Sequence, residues 1–134
     1  RVARLGIADR FHFTGFLRGE DVHRMFQLSD VYVMPSVSEP FGISPLEAMR
    51  SNVPVIISKQ SGVAEVLDYA VKVDYWDVDA LADAIFALIE YPALGKMFAS
   101  KGLEEVTNLK WNDAAAKIKT VYETAIEENQ KKTK

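Results

Sequence analysis

Two carboxylates, Glu39 and Glu47, bracket the seven residues Pro40-Phe41-Gly42-Ile43-Ser44-Pro45-Leu46, whose types suit a ligand-binding turn. A carboxylate accepts hydrogen bonds in pairs, which matches the vicinal hydroxyls of a ribose or hexose. Ser44 is a good N-cap and Pro45 fits the first helical position, so a helix opens inside this segment. The N–H groups of Leu46 and Glu47, left without intrahelical partners, would combine with the helix dipole to favour an anion, phosphate first. Gly42 lets backbone approach a ligand closely. A ligand-free explanation stands beside this one. Ser44-x-x-Glu47 is a capping box that needs no ligand, and Glu39 reads equally well as a solvated loop acid.

The elements that must position these residues alternate along the chain. Phe11–Phe16, Val31–Met34, Val53–Ile57 and a weaker Ala70–Val73 read as strands, and Val/Ile runs of this length suit strands covered on both faces. Helical patterns run from Glu20 to Ser29, Ser44 to Ser51, Ser61 to Leu67 and Val78 to Glu90. Pro92 opens another through Phe98, and a last one covers Asn112 to Glu128, with Trp111 as its packing anchor. Arg1–Asp9 resembles the end of a helix, and residues 127–134 form a polar frayed tail. Strand–helix alternation predicts an α/β domain, a Rossmann-like parallel sheet with flanking helices spanning residues 1–134. Ligands of such sheets collect beyond the C-terminal strand ends, where the Glu39 loop lies.

Composition narrows the chemistry. There is no Cys among the 134 residues and only two His, so thiolate nucleophiles, disulfides and a His-rich metal cluster are not expected. His12 reads as structural and His23 as a solvated helix residue. Net charge is −3, which is no footprint for nucleic acid or an anionic membrane. No apolar run reaches the ~18 residues of a membrane span, and no signal-peptide pattern is visible, so the expected location is cytoplasmic.

From Ser36 to Met49 the sequence resembles the E-x7-E signature of family 4 retaining glycosyltransferases, which have the two-domain GT-B architecture. Phe13-Thr14-Gly15-Phe16 resembles the family's F-x-G strand end, and Ser29-Asp30-Val31-Tyr32-Val33-Met34-Pro35-Ser36 its A-D-V-x-V-x-P-S. Asn52-Val53-Pro54-Val55-Ile56 resembles G-x-P-V-V, and Ser61-Gly62-Val63-Ala64-Glu65 resembles G-G-x-x-E. Asp79 with Leu81, and Trp111 with Tyr122, follow in order. The resemblance implies hexose transfer from a nucleoside diphosphate sugar (ADP-, UDP- or GDP-linked) to an acceptor such as a glycan, without a metal or other cofactor. It implies Glu39 as the catalytic carboxylate at the donor sugar and Glu47 on the ribose hydroxyls. Phe41, Gly42, Ile43 and Ser44 would contact sugar and phosphate, Gly15, Phe16 and Leu17 would border the base, and Gly62 would lie beside the donor. Glu65 would help to order that last loop.

The sequence departs from the family pattern in three places. The family's first two strands, with a G-R…K-G motif that neutralises the diphosphate, have no counterpart here. In the family's sheet order, 3-2-1-4-5-6, the Phe11 strand would therefore be separated from the other three by a gap. Ser61 also stands where the family has Gly. The expected chain is thus part of a C-terminal donor-binding domain whose N-terminal partner domain is missing. The alternative is a non-catalytic α/β interaction module with a vestigial donor site.

Overall fold

The computed structural model describes residues 1–132. Three strands, β1 (Tyr32–Met34), β2 (Val55–Ser58) and β3 (Val71–Val73), form a parallel sheet in the order β1-β2-β3. Tyr32 pairs with Val55 and Met34 with Ile57, while Ile56 pairs with Val71 and Ser58 with Val73. Among the described residues four helices pack around it, α1 (Glu20–Gln27), α2 (Ser44–Arg50), α3 (Val78–Glu90) and α4 (Pro92–Asn108), and a fifth, α5 (Trp111–Lys132), follows with its residues exposed.

Side chains alternate across a strand, so each face of the sheet builds its own core. Met34, Val55 and Ile57 join Phe26, Ala48, Met49, Leu67 and Val106 in one cluster, which brings in α1, α2 and the end of α4. Ile56 and Val73 join Leu88, with Val33, Leu81, Ile85 and Phe98 packed against them, on the α3 side. Strand β2 is therefore covered on both sides, as its unbroken Val-Ile-Ile run predicts, and all four of its residues are buried. Each of its Val and Ile side chains contributes about 1.5–3 kcal/mol relative to exposure.

Four expectations need correction. Residues 11–16 do not form a strand. Strand structure requires a neighbour to complete the ladder, and this segment has none among the described residues; Phe13 and Phe16 are 80% and 83% exposed. Arg1–Asp9 forms two 3-10 turns, Ala3–Leu5 and, from Ala8, Ala8–Arg10, separated by left-handed Gly6. Helix α4 runs ten residues past Phe98, because Gly95 and Gly102 mark close packing: a Cβ on Gly95 would lie 2.5 Å from the Leu88 carbonyl oxygen, and one on Gly102 2.8 Å from Met49 Cε. Helix α5 runs through the expected polar tail as far as Lys132; residues 133–134 lie outside the described residues. Trp111, at 86% exposure, packs no core.

Candidate functional site

The site forms where β1 and β2 end. Ser58, the last residue of β2, donates to the Ser36 carbonyl at 2.6 Å, and buried Ser61 donates back to the Ser58 carbonyl at 2.8 Å. These two hydroxyls hold the chain as it leaves the sheet. Beyond them the loops are stitched directly: Gly62 N–H donates to the Glu39 carbonyl and Val63 N–H to the Phe41 carbonyl, both at 2.9 Å. A Cβ on Gly62 would collide with the Pro40 carbonyl oxygen, so only glycine permits this approach. Gly42 takes φ +88°, with Met34 Cε and Glu39 Cγ close by, and turns the chain from the loop towards α2.

Glu39 is half-buried in this loop, and its Oε1 accepts the Phe41 N–H at 3.4 Å. The N–H groups of Gly42, Ile43 and Ser44 have no hydrogen-bond partner among the described residues. Phe41 and Ile43 expose their side chains, at 40% and 62%. The arrangement offers a carboxylate and adjacent open amides, a pairing able to accept from sugar hydroxyls and donate to an oxyanion.

The start of α2 differs from the sequence expectation. Ser44 is no N-cap: the helix begins at Ser44 itself, and its hydroxyl is engaged by Tyr32, whose OH donates to Ser44 Oγ at 2.7 Å. No capping box forms with Glu47. The Leu46 and Glu47 N–H groups are not open either, since both donate to the Ile43 carbonyl at 3.0 and 3.1 Å. The free donors thus sit earlier, in the loop.

Glu47 is exposed and helps line a groove of about 380 Å³ with Leu17, Arg18, Gly19, Val22, His23 and Phe26. Of the residues expected near a base, Leu17 is in this wall, whereas Gly15 and Phe16 are exposed and outside it. Glu39 and Gly62 are not among the residues that line this groove. Glu65 is exposed at the end of a 3-10 turn, Gly62–Glu65.

Two residues of the groove were not read as site residues: Arg18, and His23, which was expected as a solvated helix residue and is exposed in α1. His23 links α1 to α2: Gln27 Nε2 lies 2.9 Å from its Nε2, and its Nδ1 lies 3.3 Å from Ser51 Oγ, which donates to the Glu47 carbonyl. Arg18 stacks its guanidinium over the Phe16 ring at 5.0 Å. The signal for Arg18 was its place next to Leu17; the signal for His23, a partner 28 residues away, was not local. Behind β3, Asp74 accepts from Lys59 Nζ at 2.9 Å and from Gln60 Nε2 at 2.8 Å. Those bonds, the lysine's first, hold its carboxyl below the ordinary carboxylate range.

Among the described residues no group of three or more His, Asp or Glu side chains could hold a metal ion, and no helix is long and apolar enough to cross a membrane.

Solved structures share this fold. Sucrose-phosphate synthase from Thermosynechococcus elongatus superposes with a TM-score of 0.79 at 30% identity, over 94% of this chain and 33% of its own. The C-terminal domain of a glycosyl transferase group 1 family protein from Francisella tularensis gives 0.72 at 27%, over 79% and 56%. HepE of Anabaena, solved with UDP-glucose, gives 0.74 at 26%, over 79% and 30%. The α/β fold is that of a Rossmann-like C-terminal domain of the GT-B type. The chain spans a third or less of the length of the first curated relatives it matches. The family profile for glycosyl transferases group 1 matches residues 1–105, and the chain belongs to that family.

Proposed function

We propose that this chain carries the donor site of a retaining family 4 glycosyltransferase that moves a hexose from a nucleoside diphosphate sugar to an acceptor such as a glycan, in the cytoplasm. Its N-terminal partner domain supplies the acceptor side, and the chain by itself binds donor without turnover. The observation that carries this reading is the stitched pair of loops: Gly62 and Val63 clamp the Glu39–Phe41 segment and leave the Gly42, Ile43 and Ser44 amides open.

In this reading Glu47 accepts the ribose hydroxyls and Glu39 faces the donor sugar, with Phe41, Gly42, Ile43, Ser44 and Gly62 around it. The bond between the anomeric carbon and the diphosphate oxygen breaks, and its electron pair leaves with the nucleoside diphosphate. The open amides donate to the developing charge, which is worth most in a site that excludes water. An acceptor hydroxyl attacks from the face just vacated and passes its proton to the leaving oxygen, so configuration is retained. Positioning supplies the rest of the rate. HepE, which holds UDP-glucose, supports a nucleotide-sugar ligand.

The test is titration of the full chain with UDP-, GDP- and ADP-hexose, alongside Glu47→Gln. Saturable binding of at least one donor, weakened about tenfold or more in the variant with its melting temperature kept, is expected when one hydroxyl-accepting carboxylate is lost. A second reading, a non-catalytic interaction module, is favoured by the placement of Glu39 outside the groove that Glu47 lines. Equal, negligible binding by both proteins would support that module and overturn the donor site.

A further inference from the structure

Just past β3 the chain makes a turn whose composition its geometry does not require. The Asp77 N–H donates to the Asp74 carbonyl at 3.0 Å, which puts Tyr75 and Trp76 at the two central positions. Turns favour Gly, Pro, Asn, Asp and Ser there, so closure asks for neither aromatic ring. Packing does not ask for them either: both are exposed, Trp76 at 61%. The rings meet edge to face, 4.7 Å between centroids and 85° between planes. Such a contact covers a face of one ring and an edge of the other, so each keeps at least one face free of its neighbour. A polar rim adjoins this platform. Lys59 Nζ and Gln60 Nε2, from the loop after β2, donate to the two Asp74 oxygens at 2.9 and 2.8 Å. Those bonds leave N–H groups on Lys59 and Gln60, the Gln60 carbonyl oxygen and further lone pairs on Asp74 open, so the rim both donates and accepts. Asp74 stands two residues before Trp76, a backbone span of at most about 7 Å.

We infer that the Tyr75–Trp76 turn is a saccharide-binding surface, which takes a neutral oligosaccharide with one ring stacked on the indole and its hydroxyls on Asp74, Gln60 and Lys59. A pyranose ring carries C–H groups on a face and hydroxyls around its edge. The C–H hydrogens are weakly positive and suit the negative face of an aromatic ring, while the hydroxyls need partners that both donate and accept. Charge disfavours the other ligands that stack. The charged residues of 74–79 are Asp74, Asp77 and Asp79, and the nearby cation, Lys59, is held by Asp74, so a phosphate or nucleotide would meet net negative charge. A cation on the indole would meet the carboxylates, but also the Lys59 ammonium and the Gln60 N–H groups. The inference goes beyond the donor-site reading and does not depend on it. Lys59 and Gln60 lead directly into the Ser61–Val63 segment that clamps Glu39, and β3 lies one strand spacing, about 5 Å, from β2. A chain held on Trp76 would therefore run beside the Glu39 loop, where an acceptor glycan would be presented.

The probes are maltohexaose and a linear α-mannohexaose as neutral chains, with tetramethylammonium chloride as the cationic rival. The full chain, Trp76→Ala and Gln60→Ala are titrated by calorimetry, each checked for an unchanged melting temperature. Trp111→Phe, which leaves Trp76 as the one indole of the chain, is titrated by fluorescence. At least one hexasaccharide is expected to bind saturably and to shift the Trp76 emission. Trp76→Ala should weaken that binding about tenfold or more, as loss of an aromatic anchor does, and Gln60→Ala by less. Binding that Trp76→Ala does not weaken, or that leaves the Trp76 emission unmoved, places the sugar elsewhere and overturns the inference. A response to tetramethylammonium alone overturns it in favour of a cation site. No saturable binding of either hexasaccharide overturns it and leaves the donor site, read by nucleotide-sugar titration, standing. Hexasaccharide binding without any nucleotide-sugar binding would do the reverse.

Discussion

Gly62 donates its N–H to the carbonyl of Glu39 across 2.9 Å, joining the loop after β2 to the loop after β1 at the head of the sheet. The contact is possible because residue 62 has no side chain; a Cβ would run into the Pro40 carbonyl, which is backbone and cannot swing aside. Gly62→Ala should therefore separate the loops and cost about 1–3 kcal/mol of stability, as overpacking does. Donor-sugar binding should fall further than that of the free nucleotide, because Glu39 is the residue displaced. Chemical denaturation and paired titrations measure both; an alanine variant with wild-type stability would contradict the packing argument.

Tyr32 and Ser44 give a second test. If Ser44 acted as a helix cap, Ser44→Ala would weaken α2 whatever stood at position 32. In the structure its hydroxyl instead receives the Tyr32 OH and lies 3.8 Å from Met34 Sδ, so it ties α2 to β1. Ser44→Ala should cost about 1–3 kcal/mol by stranding the part-buried Tyr32 hydroxyl, and Tyr32→Phe about 1 kcal/mol. The double variant should cost less than the two singles added. Additive losses in that cycle would mean the two hydroxyls are not coupled.

How much of this could be read in advance depends on how local the cause was. Val55-Ile56-Ile57 is apolar without interruption, and that pattern alone implies a strand covered on both faces. The Glu39 loop was legible because Pro, Gly and carboxylates cluster within a few residues. Residues 11–16 have the composition of a strand, yet a strand is a relation between two segments, and composition describes one. The beginning of α2 misled for a similar reason: Ser44 and Glu47 match a capping box locally, while the partner that claims Ser44 lies twelve residues earlier. Arg18 was passed over, and His23 was read only as a solvated helix residue, because the groove exists only once α1 packs beside α2.

Gly95 and Gly102 carry the third prediction. Exchanging glycine for alanine inside a helix ordinarily gains about 1 kcal/mol. In α4 that gain should be reversed at position 95, where the new Cβ would meet the Leu88 carbonyl oxygen at 2.5 Å. At position 102 the obstacle is Met49 Cε, the far end of a flexible side chain. Gly95→Ala is expected to be the more destabilising of the two, with Gly102→Ala within about 1 kcal/mol of wild type. Equilibrium denaturation ranks them, and the opposite order would show that α4 does not pack against α3 and α2 as described.

Asp74 sets a pH dependence whose sign follows from its partners. Lys59 and then Gln60 donate to its two oxygens and hold its pKa below the ordinary 3.8, so the ionised form is favoured by folding. A carboxylate depressed in the folded state contributes stability that is fully present above its unfolded pKa. That contribution is lost as pH falls below 3.8 and through the lower folded value. The pair is solvent-exposed, so the effect should be small and should shrink further in high salt. Melting temperatures taken between pH 7 and pH 2 should fall less steeply at the acid end for Asp74→Asn than for wild type. Because Lys59 and Gln60 lead directly into the Ser61–Val63 segment that clamps Glu39, the same variant should also loosen that loop at neutral pH. Amide hydrogen exchange at Gly62 and Val63 reads this: unchanged protection in Asp74→Asn would show that the anchor behind β3 is not felt at the site.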